Sequence, residues 1–244
     1  MAVSELLLVR HGESQGNVAA AEAHDSGAEE LDVPARDADV DLSDLGREQA
    51  TALGVALGAL AAESRPQALA VSPYLRARET ARLACEQAGL SLPTQVDERL
   101  RDRELGVLDR LTFAGVRARY PEEAARRAWQ GKFYHRPAGG ESWVDVALRL
   151  RSWLADIDRA SPAERVLVVA HDVVIALIRY VCEGLDEEQV LDLARNTPLR
   201  NASLSRLTHQ ADGSWTVTAY DEVSHLSDAG LEVTEHKGER RARA

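Results

Sequence analysis

Apolar residues fall into two kinds of run along this chain. Leu6-Leu7-Leu8-Val9 and Val166-Leu167-Val168-Val169-Ala170 are short and unbroken, and residues 68–71 form a third such run. That pattern predicts strands buried on both faces of a mostly parallel sheet. Between them, apolar positions recur at helical spacing. Ser43 caps a predicted helix over 44–62, with Leu45, Leu53, Leu57 and Leu60 on one face. Ser72 as cap and Pro73 at the first helical position open a second helix, through Leu83 to Gln87 and stopped at Gly89. Helical patterns also cover 121–130 and 141–160, the latter carrying Trp143, Val146, Leu150, Trp153, Leu154 and Ile157. Another follows His171 through Val181 and stops near Gly184. Residues 99–111 are dense in charge and predict a loop, and Arg136-Pro137-Ala138-Gly139-Gly140 breaks the helical pattern. Residues 202–207 and 215–220 flank Ala211-Asp212-Gly213-Ser214 as a hairpin. Strands alternating with helices define an α/β domain. No repeat or linker divides it, so a single domain is expected over 1–231, with a polar, frayed tail over 232–244.

Composition adds mainly a charge asymmetry. The 244 residues carry 40 Asp and Glu against 29 Lys and Arg, a net charge of −11. Residues 22–44 hold nine of the acids and a single base, Arg36. Such a chain lacks the diffuse positive field for nonspecific binding to nucleic acid or anionic membranes. Any anionic ligand must be held by a local positive cluster. The acidic stretch reads most simply as a solvated loop, with the alternative that it folds near the pocket mouth and turns away highly charged substrates. No apolar run reaches membrane-spanning length, and residues 1–5 lack the basic start and apolar stretch of a signal peptide. Cys85 and Cys182 cannot make a disulfide framework and read as small buried hydrophobes, so a reducing, cytoplasmic setting is expected. Twenty-seven Arg against two Lys fits codon bias, so arginine abundance by itself says nothing of phosphate binding.

The chemistry gathers at strand ends. His11 and His171 each stand directly after a predicted buried strand, at the carboxyl edge where open α/β sheets bind ligands. Arg10 precedes the first histidine, and Arg76 lies on the helix after the second strand. If these strands are neighbours, two guanidinium groups and two imidazoles meet at one point. Arginine forks match phosphate oxygens, and a neutral imidazole between them can attack phosphorus.

These residues stand in a recognisable order. Arg10-His11-Gly12-Glu13-Ser14, with Asn17 three further on, resembles the signature of the histidine phosphatase superfamily, the phosphoglycerate-mutase-like proteins. Leu42-Ser43-Asp44-Leu45-Gly46-Arg47-Glu48-Gln49-Ala50 is similar to that family's first helix, and residues 71–81, Val-Ser-Pro-Tyr-Leu-Arg-Ala-Arg-Glu-Thr-Ala, to its second motif. Pro137-Ala138-Gly139-Gly140-Glu141-Ser142 resembles its lid-side segment, and Val169-Ala170-His171 the strand with its second histidine. Five motifs in family order span roughly residues 5–225.

The resemblance implies a three-layer sandwich with a mostly parallel central sheet flanked by helices, and a lid around 111–140. It implies that His11 becomes phosphorylated while Arg10, Arg76 and His171 grip the phosphoryl oxygens, with Asn17 and Ser14 as substrate contacts at the rim. It implies no metal or other cofactor. The family's proton donor is a Glu in a segment resembling Leu100-Arg101-Asp102-Arg103-Glu104-Leu105-Gly106. Counting back from Gly106 places Asp102 at that position, with Glu104 the alternative. A second departure is Asp172, where many members have Gly. It reads as a helix N-cap, or else as a group tuning His171 or repelling a second anion.

Blander readings stand beside these. Arg10 and His11 could be a strand-end pair satisfied by carboxylates. Arg76 could pair with Glu79 on an exposed helix, as Arg78 and Arg82 would. His24, His135, His209, His225 and His236 lack metal-ligand spacing and read as surface or satisfied histidines. Trp143 and Trp153 read as core, and Tyr134 and Arg136 as lid residues near substrate. A phosphomonoester hydrolase acting on a small phosphorylated metabolite is the preferred function. A mutase of the same chemistry is the runner-up, and an inactive phospholigand-binding protein comes third. The strict mutases carry Trp before the motif's Asn, where this chain has Gly16, and the region between Leu105 and Glu141 differs from the mutase pattern. A homodimer is one open outcome for assembly, and neither nucleic acid nor membrane is an expected partner.

Overall fold

The first apolar run folds as expected. In a computed structural model, which describes residues 3–33 and 36–235, it forms β1 (Glu5–Arg10), buried from its second residue onward. Leu6 and Leu8 point to one side of the sheet and Leu7 and Val9 to the other, the two-residue alternation of a strand covered on both faces. In chain order there follow α1 (Gln15–Ser26), α2 (Asp44–Gly58), β2 (Ala68–Val71), α3 (Leu75–Ala88), β3 (Thr94–Val96), α4 (Phe113–Arg119), α5 (Pro121–Gln130) and α6 (Trp143–Ala160). Then come β4 (Arg165–Ala170), α7 (Asp172–Glu183), α8 (Glu187–Asn196), β5 (Leu204–His209), β6 (Trp215–Glu222) and α9 (Ser224–Asp228).

The six strands form one sheet in the order β3-β2-β4-β1-β5-β6. The first four run parallel, and β5 and β6 add the predicted hairpin antiparallel to β1. One face is covered by α6 and α7, whose Trp143, Trp153, Ile175 and Ile178 pack on Leu6, Leu8, Val166 and Val168. The other face carries α2 and α3, with Leu53, Leu57, Ala77 and Ala81 on Leu7, Val9, Leu167 and Val169. The result is the expected three-layer α/β sandwich. Both tryptophans are core residues, at most 1% exposed. No helix among the described residues is long and apolar enough to cross a membrane.

The local departures have physical causes. The helix predicted over 44–62 stops at Gly58, because Arg65 turns back and donates to the carbonyls of Gly58 and Leu60 (2.7 and 3.0 Å). The helix expected to open at Pro73 opens at Leu75, with Tyr74 in the cap position. Ser72 does not cap it, since its hydroxyl bonds Nε2 of His171 at 2.8 Å. Asp172 is the first residue of α7, after His171 in the cap position, and its carboxylate accepts from the next backbone N–H, that of Val173. The acidic stretch is not simply loop. It begins inside α1, which a capping box of Ser14 and Asn17 opens and a left-handed Gly27 closes. The box has Asn rather than Glu or Gln at its third position, and the helix buries only Ala19 and Ala23, so its sequence signal is faint. Residues 232–235, expected in the frayed tail, are held. Thr234 bonds Asn201 and Gln49, and Val233 packs near Leu226. Residues 236–244, including His236, lie outside the described residues.

Candidate active site

The sheet order brings the strand ends together. β1 and β2 are not direct neighbours, but both flank β4. In register, Arg10 pairs with Ala170, so His11 and His171 leave adjacent strands at the same level. His11 N–H donates to Ala170 O (3.0 Å), and Ser72 N–H donates to Val169 O (3.0 Å) on the other side. The two imidazoles meet edge to face with centroids 5.2 Å apart. Arg10, His11, Arg76 and His171 are all buried.

His11 is oriented by its own loop. Nδ1 lies 2.7 Å from Gly12 O, a contact that requires a proton on Nδ1 and so leaves the lone pair on Nε2. Arg76 Nε lies 3.3 Å from that Nε2. The loop is locked from outside by Gly46 of α2. A Cβ on Gly46 would stand 1.9 Å from Glu13 O, so only glycine permits this approach. From inside, Asn201 Nδ2 and Ala202 N–H donate to His11 O (3.2 and 3.1 Å).

Arg76 is not the exposed surface partner of Glu79, which pairs with Arg82 and Arg47 instead. Its guanidinium lies 5.0 Å from the Tyr74 ring and reaches Asp102 Oδ2 (3.1 Å), Asp37 O (2.7 Å) and Asp37 Oδ1 (2.9 Å). Asp102 Oδ2 also lies 3.3 Å from Nδ1 of His171. Glu104 turns elsewhere and accepts from the Tyr74 hydroxyl at 2.9 Å. Of the two carboxyl groups left open by sequence, Asp102 is thus the one beside the histidines.

Burial dominates the electrostatics. It drives both His11 and His171 well below the usual histidine range, helped for each by the neighbouring Arg76 charge. Burial also raises the Asp102 carboxyl, which Arg76 partly opposes. This buried cluster, the floor of the candidate site, thus favours two neutral imidazoles. Arg10 donates to Leu199 O through Nη1, while its buried Nε has no hydrogen-bond partner among the described residues. His171 Nδ1 is likewise without one, its approach to Asp102 being close but not aligned as a hydrogen bond.

The remaining expected residues divide. Ser14 is buried and its hydroxyl serves the α1 capping box. Asn17 Oδ1 accepts from Ser14 N–H, Ser14 Oγ and Asn201 Nδ2, which turns its amide nitrogen to the other side. Arg136 pairs with Asp145, and the Tyr134 hydroxyl meets Glu187. His135 is buried against Glu123, with Nε2 to Oε2 at 3.0 Å. Among the described residues, no three His, Cys, Asp or Glu side chains are grouped as metal ligands. Sequence reasoning missed Asp37, Tyr74 and Asn201. Asp37 was hidden in an acidic run, and nothing local marks Asn201.

With this geometry in view, known proteins supply the comparison. The family model described as histidine phosphatase superfamily (branch 1) matches residues 6–222. A metal-independent phosphoserine phosphatase of Arabidopsis thaliana is 30% identical over 94% of this chain and 86% of its own length. Glucosyl-3-phosphoglycerate phosphatase of Mycobacterium tuberculosis is 33% identical over 93% of this chain and 98% of its own. A 2,3-bisphosphoglycerate-dependent phosphoglycerate mutase of Gloeobacter violaceus is 32% identical over 86% of this chain and 88% of its own. The solved structure of the mycobacterial glucosyl-3-phosphoglycerate phosphatase complexed with VO3 superimposes with a TM-score of 0.70 at 30% identity, covering 90% of this chain and 99% of that one. The motifs read in order along the sequence, the sheet that gathers them and the match over nearly the whole fold agree, and the chain belongs to the histidine phosphatase superfamily, branch 1.

Proposed function

We propose that the protein is a phosphomonoester hydrolase that works through a phosphohistidine on His11. The observation that carries this reading is a neutral His11 whose Nε2, left without a proton by the Nδ1–Gly12 contact, accepts from the Arg76 Nε–H at 3.3 Å. Nε2 attacks phosphorus, and the N–P bond forms as the P–O ester bond breaks. Asp102, whose carboxyl burial raises, gives its proton to the leaving oxygen. As carboxylate it then takes a proton from water, whose oxygen displaces His11 from phosphorus and restores the starting state. Arg76, Arg10 and His171 hold the three phosphoryl oxygens as charge spreads over them. Arg10 Nε and His171 Nδ1, both buried without hydrogen-bond partners, suit this role, since leaving such groups unpaired is costly. The Asn17 amide nitrogen adds a donor at the rim, and Ser14 acts there by holding Asn17.

The mutase reading uses the same steps but returns the phosphoryl group to another hydroxyl, and mutase relatives at similar identity favour it. The segment before Asn17 favours hydrolysis. At Gly16 a Cβ would lie 3.4 Å from Val40 Cγ1, so this side of α1 is packed by an aliphatic residue and not by an indole. The test is acid-free quenching during turnover, followed by mass mapping, with phosphate expected on the His11 peptide. His11→Ala is expected to lower turnover by at least about a thousandfold, and undiminished turnover refutes the mechanism. With 3-phosphoglycerate and its bisphosphate primer, released phosphate is the hydrolase outcome and isomerised ester the mutase outcome.

A further inference from the structure

The Arg76 guanidinium is fully engaged before any substrate arrives. Nε faces His11, and Nη1 donates to both the carbonyl and Oδ1 of Asp37. Nη2 donates to Oδ2 of Asp37 (3.3 Å) and to Asp102. Asp37 therefore straddles the outer nitrogens with two oxygens, as a phosphoryl group would. One of these acceptors must yield when a phosphoryl group takes the fork. Asp102 is 23% exposed and Asp37 is 42% exposed, so the Asp37 carboxylate is the freer to swing away.

It cannot swing far, because its backbone is pinned. Asp37 opens the short 3-10 turn Asp37–Asp39, which Val40 N–H closes onto the Asp37 carbonyl. Arg36 pairs with Asp39 across the turn (3.1 Å), and Val40 is buried against Gly16 of α1. Displaced from Arg76, the carboxylate stays near Asp102, with which it shares Nη2 and which the proposed function sets beside the leaving oxygen. Two more carboxylates are close enough to act there. The charges of Asp37 and Glu104 add to burial in raising the Asp109 carboxyl. The nearest guanidinium on the turn, Arg36, is already paired with Asp39.

We infer that Asp37 is a specificity-determining residue, selecting phosphomonoesters whose leaving group is uncharged or cationic over those carrying a carboxylate or a second phosphate. This rests on the phosphohydrolase reading and deepens it. One phosphoryl group brings enough charge to displace Asp37 from Arg76, whereas a second anion on the leaving group meets the displaced carboxylate directly. Repulsion at such range in partly solvated surroundings is strong enough to set selectivity and is weakened by salt.

The test compares glycerol 3-phosphate, with a neutral leaving group, and 3-phosphoglycerate, with an anionic one. Wild type, Asp37→Asn and Asp39→Asn are assayed at low and high ionic strength. Wild type is expected to favour glycerol 3-phosphate in kcat/KM, more so at low salt. Asp37→Asn is expected to lower KM for both esters, since an internal competitor is gone, and to reduce the preference about five- to tenfold. Asp39→Asn, two positions along the same turn and equal in charge change, is expected to leave the preference alone. An unchanged preference in Asp37→Asn overturns the inference, as does an equal shift in Asp39→Asn or a wild type that favours 3-phosphoglycerate. The same two esters are titrated calorimetrically into His11→Ala and into His11→Ala/Asp37→Asn. If neither ester releases phosphate yet the binding preference still shifts with Asp37, the hydrolase reading fails and the role of Asp37 stands. If phosphate is released but the binding preference is indifferent to Asp37, the hydrolase reading stands and the role of Asp37 fails. No binding of either ester overturns both.

Discussion

At the floor of the candidate site, Ser72, His171 and His11 leave three neighbouring parallel strands whose register holds them level. At the mouth, Asp37, Glu104 and Asp109 come from loops and short turns with no ladder between them. A floor residue is placed by the sheet ladder and the core beneath it, a mouth residue by one or two ion pairs and a turn. Chemistry common to a family belongs on the first kind of support, and substrate choice belongs on the second, where a side chain can change without disturbing the sheet.

The largest effect that could break this division concerns Asp102, which comes from a loop yet reaches the floor. Asp102→Asn is expected to lower kcat for an alkyl phosphate by about 100- to 1000-fold. The loss should be smaller for p-nitrophenyl phosphate, whose leaving group needs no proton. As the proposed acid, Asp102 acts from its protonated form, and because burial raises this carboxyl, wild-type activity is expected to fall as pH rises through its raised value. That falling limb disappears in Asp102→Asn. Glu104→Gln, which keeps an oxygen for the Tyr74 hydroxyl and removes the charge facing Arg101, is expected to keep the limb and to cost a few-fold at most. If Glu104→Gln loses the limb and Asp102→Asn keeps it, the acid belongs to the mouth and the division is wrong.

A smaller effect sharpens the comparison through two glycines. A methyl on Gly46 runs into Glu13 O at 1.9 Å behind the His11 loop, and one on Gly106 (φ 56°) runs into Ala138 O at 2.1 Å between the Asp102 loop and residues 137–142. Each Ala variant is expected to lose about 1–3 kcal/mol of stability in urea unfolding. They should differ in kinetics. Gly46→Ala shifts the loop whose carbonyl orients His11 and so lowers kcat, whereas Gly106→Ala shifts the mouth and raises KM. The same kinetic signature from both would mean that floor and mouth move as one body.

Support of each kind also decided what could be read from the sequence. Leu6 to Val9 and Val166 to Ala170 have nowhere to go but a doubly covered sheet, so both strands and the histidines that end them were legible. Ser72 reads from the sequence as the cap of the helix after β2 and not as the partner of His171, because its bond spans 99 residues of sequence. The α1 helix escaped because its buried face is only alanine. Asp37 carries no local signal that separates it from eight other acids in its stretch. What picks it out is Arg76, 39 positions away. Counting along a motif could place Asp102 in the right segment, but only the turn of the chain sends Glu104 to Tyr74 and Asp102 to His171.

The smallest expected effect is on stability in acid, and it tests whether the two regions respond separately. Burial lowers His11 and His171 at the floor, and also His135 beside Glu123 of α5 and His225 of α9. The folded state keeps these rings neutral, while the unfolded chain protonates them around pH 6.5. Stability is therefore full above that value and falls as pH drops from it toward the folded values. The slope is at most about 1.4 kcal/mol per pH unit for each histidine. At the floor an opposite term enters. The Asp102 carboxyl, held above its usual 3.8, binds its proton in the folded state before the unfolded chain does, so it adds stability as pH falls through its folded value. His135→Gln should flatten the acid loss in urea midpoints between pH 7 and 4. Asp102→Asn should steepen its lower end, where the compensating proton is gone. A slope that neither substitution alters would place the responsible protons outside both regions.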